Sequence, residues 1–280
     1  MCDPVIAIVG AGVMGTGIAT LVVGQGLPVV LVDIDEAVLE HARIEVTSGL
    51  RHAQLMGALP AERAPARLST TLRLSDIAEA AAVIEAVTEL PEKKAEVLTT
   101  ISASVRPGTS LISNTSGIPI DELAAWVRRP GELIGTHFMN PAYLISMVEV
   151  IRGPRTAEET VQSVLSLLTR LCRRAVVVRD APGFVTSRLL HPMINDAAQV
   201  VSRGTATVED VDTLMQGCLG HPTGPLRTAD LIGIDNLVDS LAAMHARNGD
   251  ERCRPNDLLL DKVRRGELGR KSGRGFYVYE

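Results

Sequence analysis

The sequence predicts an α/β protein in which an N-terminal Rossmann-type, doubly wound parallel sheet is followed by a C-terminal all-α domain. A short apolar run, Val5–Val9, breaks into Gly10-Ala11-Gly12-Val13-Met14-Gly15 and resumes as an apolar helical stretch to about Gln25. Strand-like runs then alternate with helical stretches as far as residue 178, the order that produces parallel sheets. Past Asp180-Ala181-Pro182-Gly183 only helical patterns remain. That quartet joins a capping carboxylate, a proline and a glycine, so the boundary is expected there, with domains 1–181 and 182–280.

Val5–Val9, followed at once by the glycine turn, reads as a strand, and Pro28–Val32, ending at Asp33, completes a βαβ unit whose crossover should be right-handed. Residues 36–67 read as a long helical excursion rich in Ala, Glu, Leu and Arg. Further strands are expected at Leu68–Leu72, Ala82–Val87 and Ser110–Ser113, then at Gly131–Phe138 and Ile145–Ile151, joined by a compact segment containing Pro141. A helix over 156–171 and a strand at Arg174–Val178 close the first domain. Helices over about 184–203, 207–219, 226–247 and 256–265 make the second.

Length and composition bound the function. With 280 residues the chain suits two domains, and 46% apolar with 22% charged residues is the balance of a soluble globular protein. Aromatic residues are only 2%, so aliphatic side chains must do the packing. A net charge of -5 offers no basic field, which argues against nucleic acid as a partner. Cys2, Cys172, Cys218 and Cys253 lack the close pairing of a zinc site or redox dithiol, so they read as reduced thiols and no metal is expected. No apolar run approaches the ~20 residues of a membrane span. Val5–Val9 follows an acidic residue rather than a basic one, unlike a signal peptide, and a cytoplasmic location follows by default.

The glycine pattern of Gly10, Gly12 and Gly15 is weak by itself, and a turn without a ligand is the plain alternative. Here it follows a strand, opens a helix and is answered by Asp33 at the end of the next strand. In this Rossmann-type arrangement Gly10 permits the turn, Gly12 lets backbone approach a pyrophosphate and Gly15 lets helix and sheet pack. Asp33 would accept from the ribose hydroxyls and repel a 2′-phosphate, a repulsion that Asp35 strengthens, so the expected cofactor is NAD rather than NADP.

Thr136-His137-Phe138-Met139-Asn140-Pro141 sets a histidine and an asparagine where a strand leaves the sheet, the place where open α/β sheets bind ligands. A lone histidine there is more often structural, so the chemistry needs a partner. Glu149, in the apolar run Met147–Ile151, is the candidate, because a buried carboxylate without a donor costs several kcal/mol. If the two strands pair, Glu149 takes the Nδ1 proton of His137 and leaves Nε2 to remove a hydroxyl proton while hydride departs to nicotinamide. If Glu149 points outward, the idea fails. Ser116, in Ser113-Asn114-Thr115-Ser116-Gly117, reads in isolation as a cap or turn, and in this setting also as a contact for the substrate oxygen.

With these motifs in order, the chain resembles the L-3-hydroxyacyl-CoA dehydrogenases, including the bacterial 3-hydroxybutyryl-CoA dehydrogenases. The likeness runs through Gly10–Gly15, Asn114–Ser116, His137–Pro141, Val148–Val150, Asp180–Phe184, His221–Pro225 and Gly269–Tyr277. The resemblance implies a His137–Glu149 dyad, Ser116 and Asn140 beside the substrate, and cofactor contacts from the Gly10–Gly15 turn, Val13 and Met14 included, with Glu89, Lys94 and Lys271. It also implies a helical domain that supplies substrate contacts and a homodimer interface.

The sequence departs from the family where the substrate binds. Ser187 stands where relatives carry an asparagine, and Gly117 where they carry a second serine. Relatives use lysines in the 36–67 excursion to hold the CoA nucleotide; this chain has none there, though Arg43, Arg51, Arg63 and Arg67 remain. The expected substrate is therefore a short 3-hydroxyacyl thioester on CoA or on an acyl carrier protein, as in relatives that oxidise hydroxyacyl groups for polyketide extender units. The alternatives are a dehydrogenase of a free hydroxy acid, gulonate- or carnitine-like, and a non-catalytic, crystallin-like NAD-binding protein.

Overall fold

Short runs of four to six residues, most of them rich in Ile, Val and Leu, form the strands of the computed structural model, which describes residues 3–60 and 64–279. Cys2 and Arg63 lie outside the described residues. The strands are β1 (Ile6–Val9), β2 (Val29–Val32), β3 (Leu68–Thr71), β4 (Ala82–Glu85), β5 (Ser110–Ser113), β6 (Leu133–Phe138), β7 (Met147–Arg152) and β8 (Arg174–Arg179). They make one sheet in the order β3-β2-β1-β4-β5-β6-β7-β8. The reversal of direction at β1 and β4 is the switch point at which such sheets hold ligands beyond their carboxyl ends.

All neighbours run parallel except β6 and β7, which are antiparallel. The sequence reading has a parallel sheet throughout; the connection over 139–146 is too short for the dozen or more residues that a parallel crossover takes, so the chain folds straight back.

Helices α1 (Val13–Gly24), α2 (Glu36–Leu55), α3 (Pro91–Ser104), α4 (Ile120–Ala124) and α5 (Glu158–Arg170) belong to the same unit. Two of these depart from the sequence reading. The excursion over 36–67 is helical only to Leu55; Gly57, at φ +68°, and Pro60 end it, and the chain returns to the sheet at Arg67, whose carbonyl accepts from Val29 N at 2.9 Å. Helix α3, which has Pro91 in its first turn, was not anticipated, because its apolar residues are few and its charges many. Ile8, Leu31, Ile84, Ile112, Ile134 and Val150 from the sheet pack with Ile18 and Leu21 of α1, Leu39 of α2 and Val164 of α5 in the first core.

The chain divides into compact units at Ala181/Pro182. The second unit holds α6 (Thr186–Ser202), α7 (Val208–Leu219), α8 (Pro225–Ile232), α9 (Ile234–Asn248) and α10 (Asp257–Arg264). The expected single helix over 226–247 is broken at Gly233, whose φ of +94° no continuous helix admits. Its own core gathers Ile194, Ala198, Leu226, Leu237, Leu241, Met244 and Leu259. Among the described residues no helix is long and apolar enough to cross a membrane, and no group of three His, Cys, Asp or Glu could hold a metal.

Candidate active site

The turn between β1 and α1 is built around its glycines. A Cβ on Gly15 would stand 1.8 Å from the carbonyl oxygen of Gly10, and one on Gly10, whose φ is +101°, would strike the Ala86 carbonyl at 2.6 Å. A Cβ on Gly12 would meet no protein atom within 4 Å, so that side of the turn faces open space. Helix α1 begins there with no side-chain cap and no acidic residue in its first turn, which leaves its amide hydrogens and dipole for an anion. Asp33 closes the other side: Oδ2 accepts from Ala11 N at 2.7 Å and Oδ1 from Ile34 N at 2.7 Å. Locking the Asp33 carboxylate against the turn is a second role beside the ribose contact expected of it. A diphosphate on the turn and a ribose at Asp33 fit these residues. Val13 is exposed and Met14 partly buried at the start of α1.

Beyond the carboxyl ends of β4 and β5 lies a buried polar cluster. Glu85, the last residue of β4, accepts from Lys94 Nζ at 2.7 Å, Val87 N at 2.8 Å and Ser113 Oγ at 2.6 Å. Lys94, on the first turn of α3, also reaches Glu89 Oε2 at 3.2 Å. Glu89 Oε1 in turn accepts from Thr115 Oγ1 at 2.5 Å, Ser116 N at 2.8 Å and Ser116 Oγ at 3.1 Å. Burial opposes the charge of Glu89, but Lys94 and these donors outweigh it and hold the carboxyl below its ordinary value. The structure therefore brings the candidates Glu89, Lys94 and Ser116 together.

Strand β6 extends past its parallel pairing with β5: Ser113 pairs with Gly135, so His137 lies level with the Asn114–Ser116 turn. Asn114 Oδ1 accepts from Phe138 N at 3.1 Å and ties the turn to that strand. On the other side, the antiparallel register places His137 opposite Glu149, and Nδ1 meets Oε2 at 3.2 Å with both residues buried. Asn140 is exposed at the exit of β6. The loop beyond it is pinned from below by buried Arg173, whose guanidinium donates to the Tyr143 carbonyl at 2.8 Å.

The second unit carries two further candidates. Ser187 is buried in the first turn of α6, and Lys271 Nζ donates to Asp235 Oδ2 at 2.6 Å. The sequence reading passes over Glu85 and Arg173, and of the Ser113–Gly117 segment it assigns a role to Ser116 alone. Glu85 carries the same signal as Glu149, a carboxylate within an apolar strand that needs a donor.

Residues 5–181 match the model of the 3-hydroxyacyl-CoA dehydrogenase NAD-binding domain, and residues 183–279 match that of the 3-hydroxyacyl-CoA dehydrogenase C-terminal domain. The chain belongs to the 3-hydroxyacyl-CoA dehydrogenase family. It is an NAD-dependent oxidoreductase of that family. A probable 3-hydroxybutyryl-CoA dehydrogenase of Bacillus subtilis is 40% identical over 98% of this chain and 97% of its own length. The crystal structure of an (S)-3-hydroxybutyryl-CoA dehydrogenase from Ralstonia eutropha is 36% identical and superposes with a TM-score of 0.90, covering 100% of both chains. That of FadB2 from M. tuberculosis is 35% identical, with a TM-score of 0.94 over 100% of each chain. Within this dehydrogenase fold the Gly10 turn, the Glu85 cluster and the His137–Glu149 pair all stand at the edge of the sheet where the parallel strands β1, β4, β5 and β6 end.

Proposed function

We propose that this dehydrogenase interconverts a short-chain 3-hydroxyacyl thioester and its 3-oxo form, with His137 moving the hydroxyl proton and Glu149 holding the imidazole. The observation that carries the reading is the register that sets a buried carboxylate on Nδ1 of a histidine at the end of β6. With its proton on Nδ1, the neutral ring offers Nε2 as the base, and Glu149 stabilises the imidazolium formed when Nε2 takes the proton. NAD, when bound, supplies the acceptor for the carbinol hydride. In the reverse direction the imidazolium returns its proton to the nascent alkoxide. Ser116, already oriented by Glu89, and Asn140 hold the carbinol oxygen; Ser187 as a substrate contact and Lys271 as a cofactor contact rest on the resemblance alone.

The thioester carrier is CoA, as in the names of the relatives, or an acyl carrier protein. The observation favouring the carrier protein is the lysine-free α2: Arg43 is tied to Glu40 and Thr70, Arg67 sits at the amino-terminal edge of the sheet, away from the site, and the remaining cation of the helix is the exposed Arg51. The phosphopantetheine arm is common to both carriers. A homodimer through the second unit is supported by exposed apolar side chains there, Leu189, Leu214, Leu219 and Leu231 among them.

The deciding experiment follows NADH absorbance with one 3-hydroxyacyl group presented on CoA, on a carrier protein and as the free acid. Both thioesters or one of them should turn over, and the free acid should not. Activity on the free acid alone would overturn the reading, and a strong preference for CoA would discard the carrier protein. His137→Ala should keep NAD affinity near normal and lower turnover by ~10²–10⁴.

A further inference from the structure

The cluster beyond β4 and β5 holds one more carboxylate than ammonium. The side chains of Glu85 and Lys94 are 1% and 0% exposed and pair at 2.7 Å, so the lysine neutralises its buried partner. Glu89, whose side chain is 39% exposed, shares the same lysine at 3.2 Å and carries the surplus negative charge toward solvent. Its other carboxylate oxygen is fixed by Thr115 and Ser116, so the charge is held in place rather than left on a mobile side chain.

Sheet order decides what passes this charge. Strand β1 carries the glycine turn, β6 carries His137, and β4 and β5 lie between them. The turn abuts the exit of β4, since the missing Cβ of Gly10 would touch the Ala86 carbonyl. A dinucleotide with its diphosphate on that turn and its nicotinamide facing a carbinol at His137 has to cross the ends of β4 and β5. Its nicotinamide ring is cationic before hydride arrives and neutral afterwards. A fixed negative charge beside that path stabilises the first state and not the second.

We propose that the Glu85–Lys94–Glu89 cluster biases cofactor binding by redox state, strengthening NAD+ relative to NADH through the one carboxylate that Lys94 leaves uncompensated. Glu85 is a positioning residue in this scheme. It engages Lys94 from below and so keeps the lysine from cancelling Glu89 outright. The proposal rests on the reading that the nicotinamide lies beside His137, and deepens it by assigning an electrostatic bias to the site.

The test measures dissociation constants of NAD+, NADH and ADP-ribose for the full-length wild type and Glu89→Gln, with no turnover involved. Glu89→Gln should weaken NAD+ relative to NADH by about 3- to 10-fold, as expected for one partly solvated charge. ADP-ribose, which lacks the ring, should stay within about twofold, because its phosphates and adenosine meet the turn and Asp33 instead. An unchanged NAD+ to NADH ratio overturns the proposal, as does an equal loss of ADP-ribose affinity. Because Glu89 is partly exposed, this variant decides the matter alone; Glu85→Gln should shift the ratio in the same direction without touching the ligand, and no shift there removes Glu85 from the assignment. His137→Ala should lower turnover by the same ~10²–10⁴ and keep the wild-type ratio, so failure of the catalytic reading and failure of this one are separable.

Discussion

His137 and Glu149 stand opposite one another across the antiparallel β6–β7 pair and meet at 3.2 Å through Nδ1 and Oε2. The register makes this contact a property of the sheet rather than of a loop, so replacing the carboxylate should change chemistry without moving the histidine. Glu149→Gln keeps a group of equal size that can still accept from Nδ1, yet it cannot balance the imidazolium. We expect kcat to fall by roughly 10²-fold with KM and NAD affinity little changed. Steady-state kinetics and NAD titration check this, and a kcat within twofold of wild type would remove Glu149 from the proposed dyad.

The glycine turn separates folding from cofactor binding. A methyl on Gly12 meets no protein atom, whereas one on Gly15 collides with the Gly10 carbonyl oxygen. Gly12→Ala should therefore leave Tm in place and weaken NAD binding, because only the ligand competes for that space. Gly15→Ala should lower both. Calorimetry beside NAD titration distinguishes them, and full NAD affinity in Gly12→Ala would mean that the diphosphate lies elsewhere.

Asp33 offers a third test, since its carboxylate both ties down the turn through Ala11 N and repels a ribose phosphate. Asp33→Asn keeps an acceptor for Ala11 N but loses the charge. The ratio of kcat/KM for NAD over NADP should drop severalfold or more, chiefly through a gain with NADP. A ratio unmoved by the substitution would assign the NAD preference to another group.

The legible parts of this chain are those whose physics is local or periodic. Val5–Val9 with Gly10–Gly15 and Asp33 announces strand, turn, helix and strand because each residue type is needed where it stands. Glu149 is legible because a carboxylate in an apolar run needs a donor, and Glu85, which ends β4, meets the same condition. Harder to see were features set by chain geometry. The antiparallel turn at β7 depends on the length of the 139–146 connection, and the break between α8 and α9 on a glycine that pattern alone reads through. Helix α3 escaped notice because Lys94 and its charged neighbours hide a buried face. That Lys94 is fully buried between two carboxylates follows from where α3 starts, which no window of sequence contains.

The C-terminal segment is anchored by buried carboxylates that have phenol partners. Asp212 accepts from Leu226 N and Arg227 N, each at 2.9 Å, and from Tyr277 Oη at 2.9 Å, while Arg227 stacks over the Tyr277 ring at 4.0 Å. Burial together with Asp212 pushes the Tyr277 phenol well above its ordinary value, and burial with Asp230 pushes Tyr279 up to about 12. A raised folded-state value means the contribution is complete below the ordinary phenol value of 10.0 and is lost as pH rises toward about 12. Tyr277→Phe keeps the ring and removes one donor from Asp212, at a cost of about 1–3 kcal/mol in unfolding free energy. Denaturant titration at neutral pH measures it, and a variant as stable as wild type would make that hydrogen bond dispensable.

Asp180, just before the unit boundary, behaves in the opposite sense. Its Oδ2 accepts from Asp121 N at 2.8 Å, but its Oδ1 is buried with no hydrogen-bond partner among the described residues. Burial is the main cause that raises its pKa, backbone donation from Asp121 and Ile120 works against the rise, and the nearby Asp121 and Glu122 charges add to it. The folded state therefore holds this proton more tightly than the unfolded chain does, so stability falls as pH climbs from the ordinary value of 3.8 through the raised one and stays reduced above it. Asp180→Asn keeps an acceptor for Asp121 N and carries no charge. Its Tm should exceed that of wild type at neutral pH, and the difference should shrink to nothing near about pH 3, where the wild-type carboxyl is protonated in both states. Scanning calorimetry of both proteins across that range gives the answer: a gain of equal size at every pH would point to packing instead of charge, and a loss at neutral pH would show that the ionised carboxylate is needed where it stands.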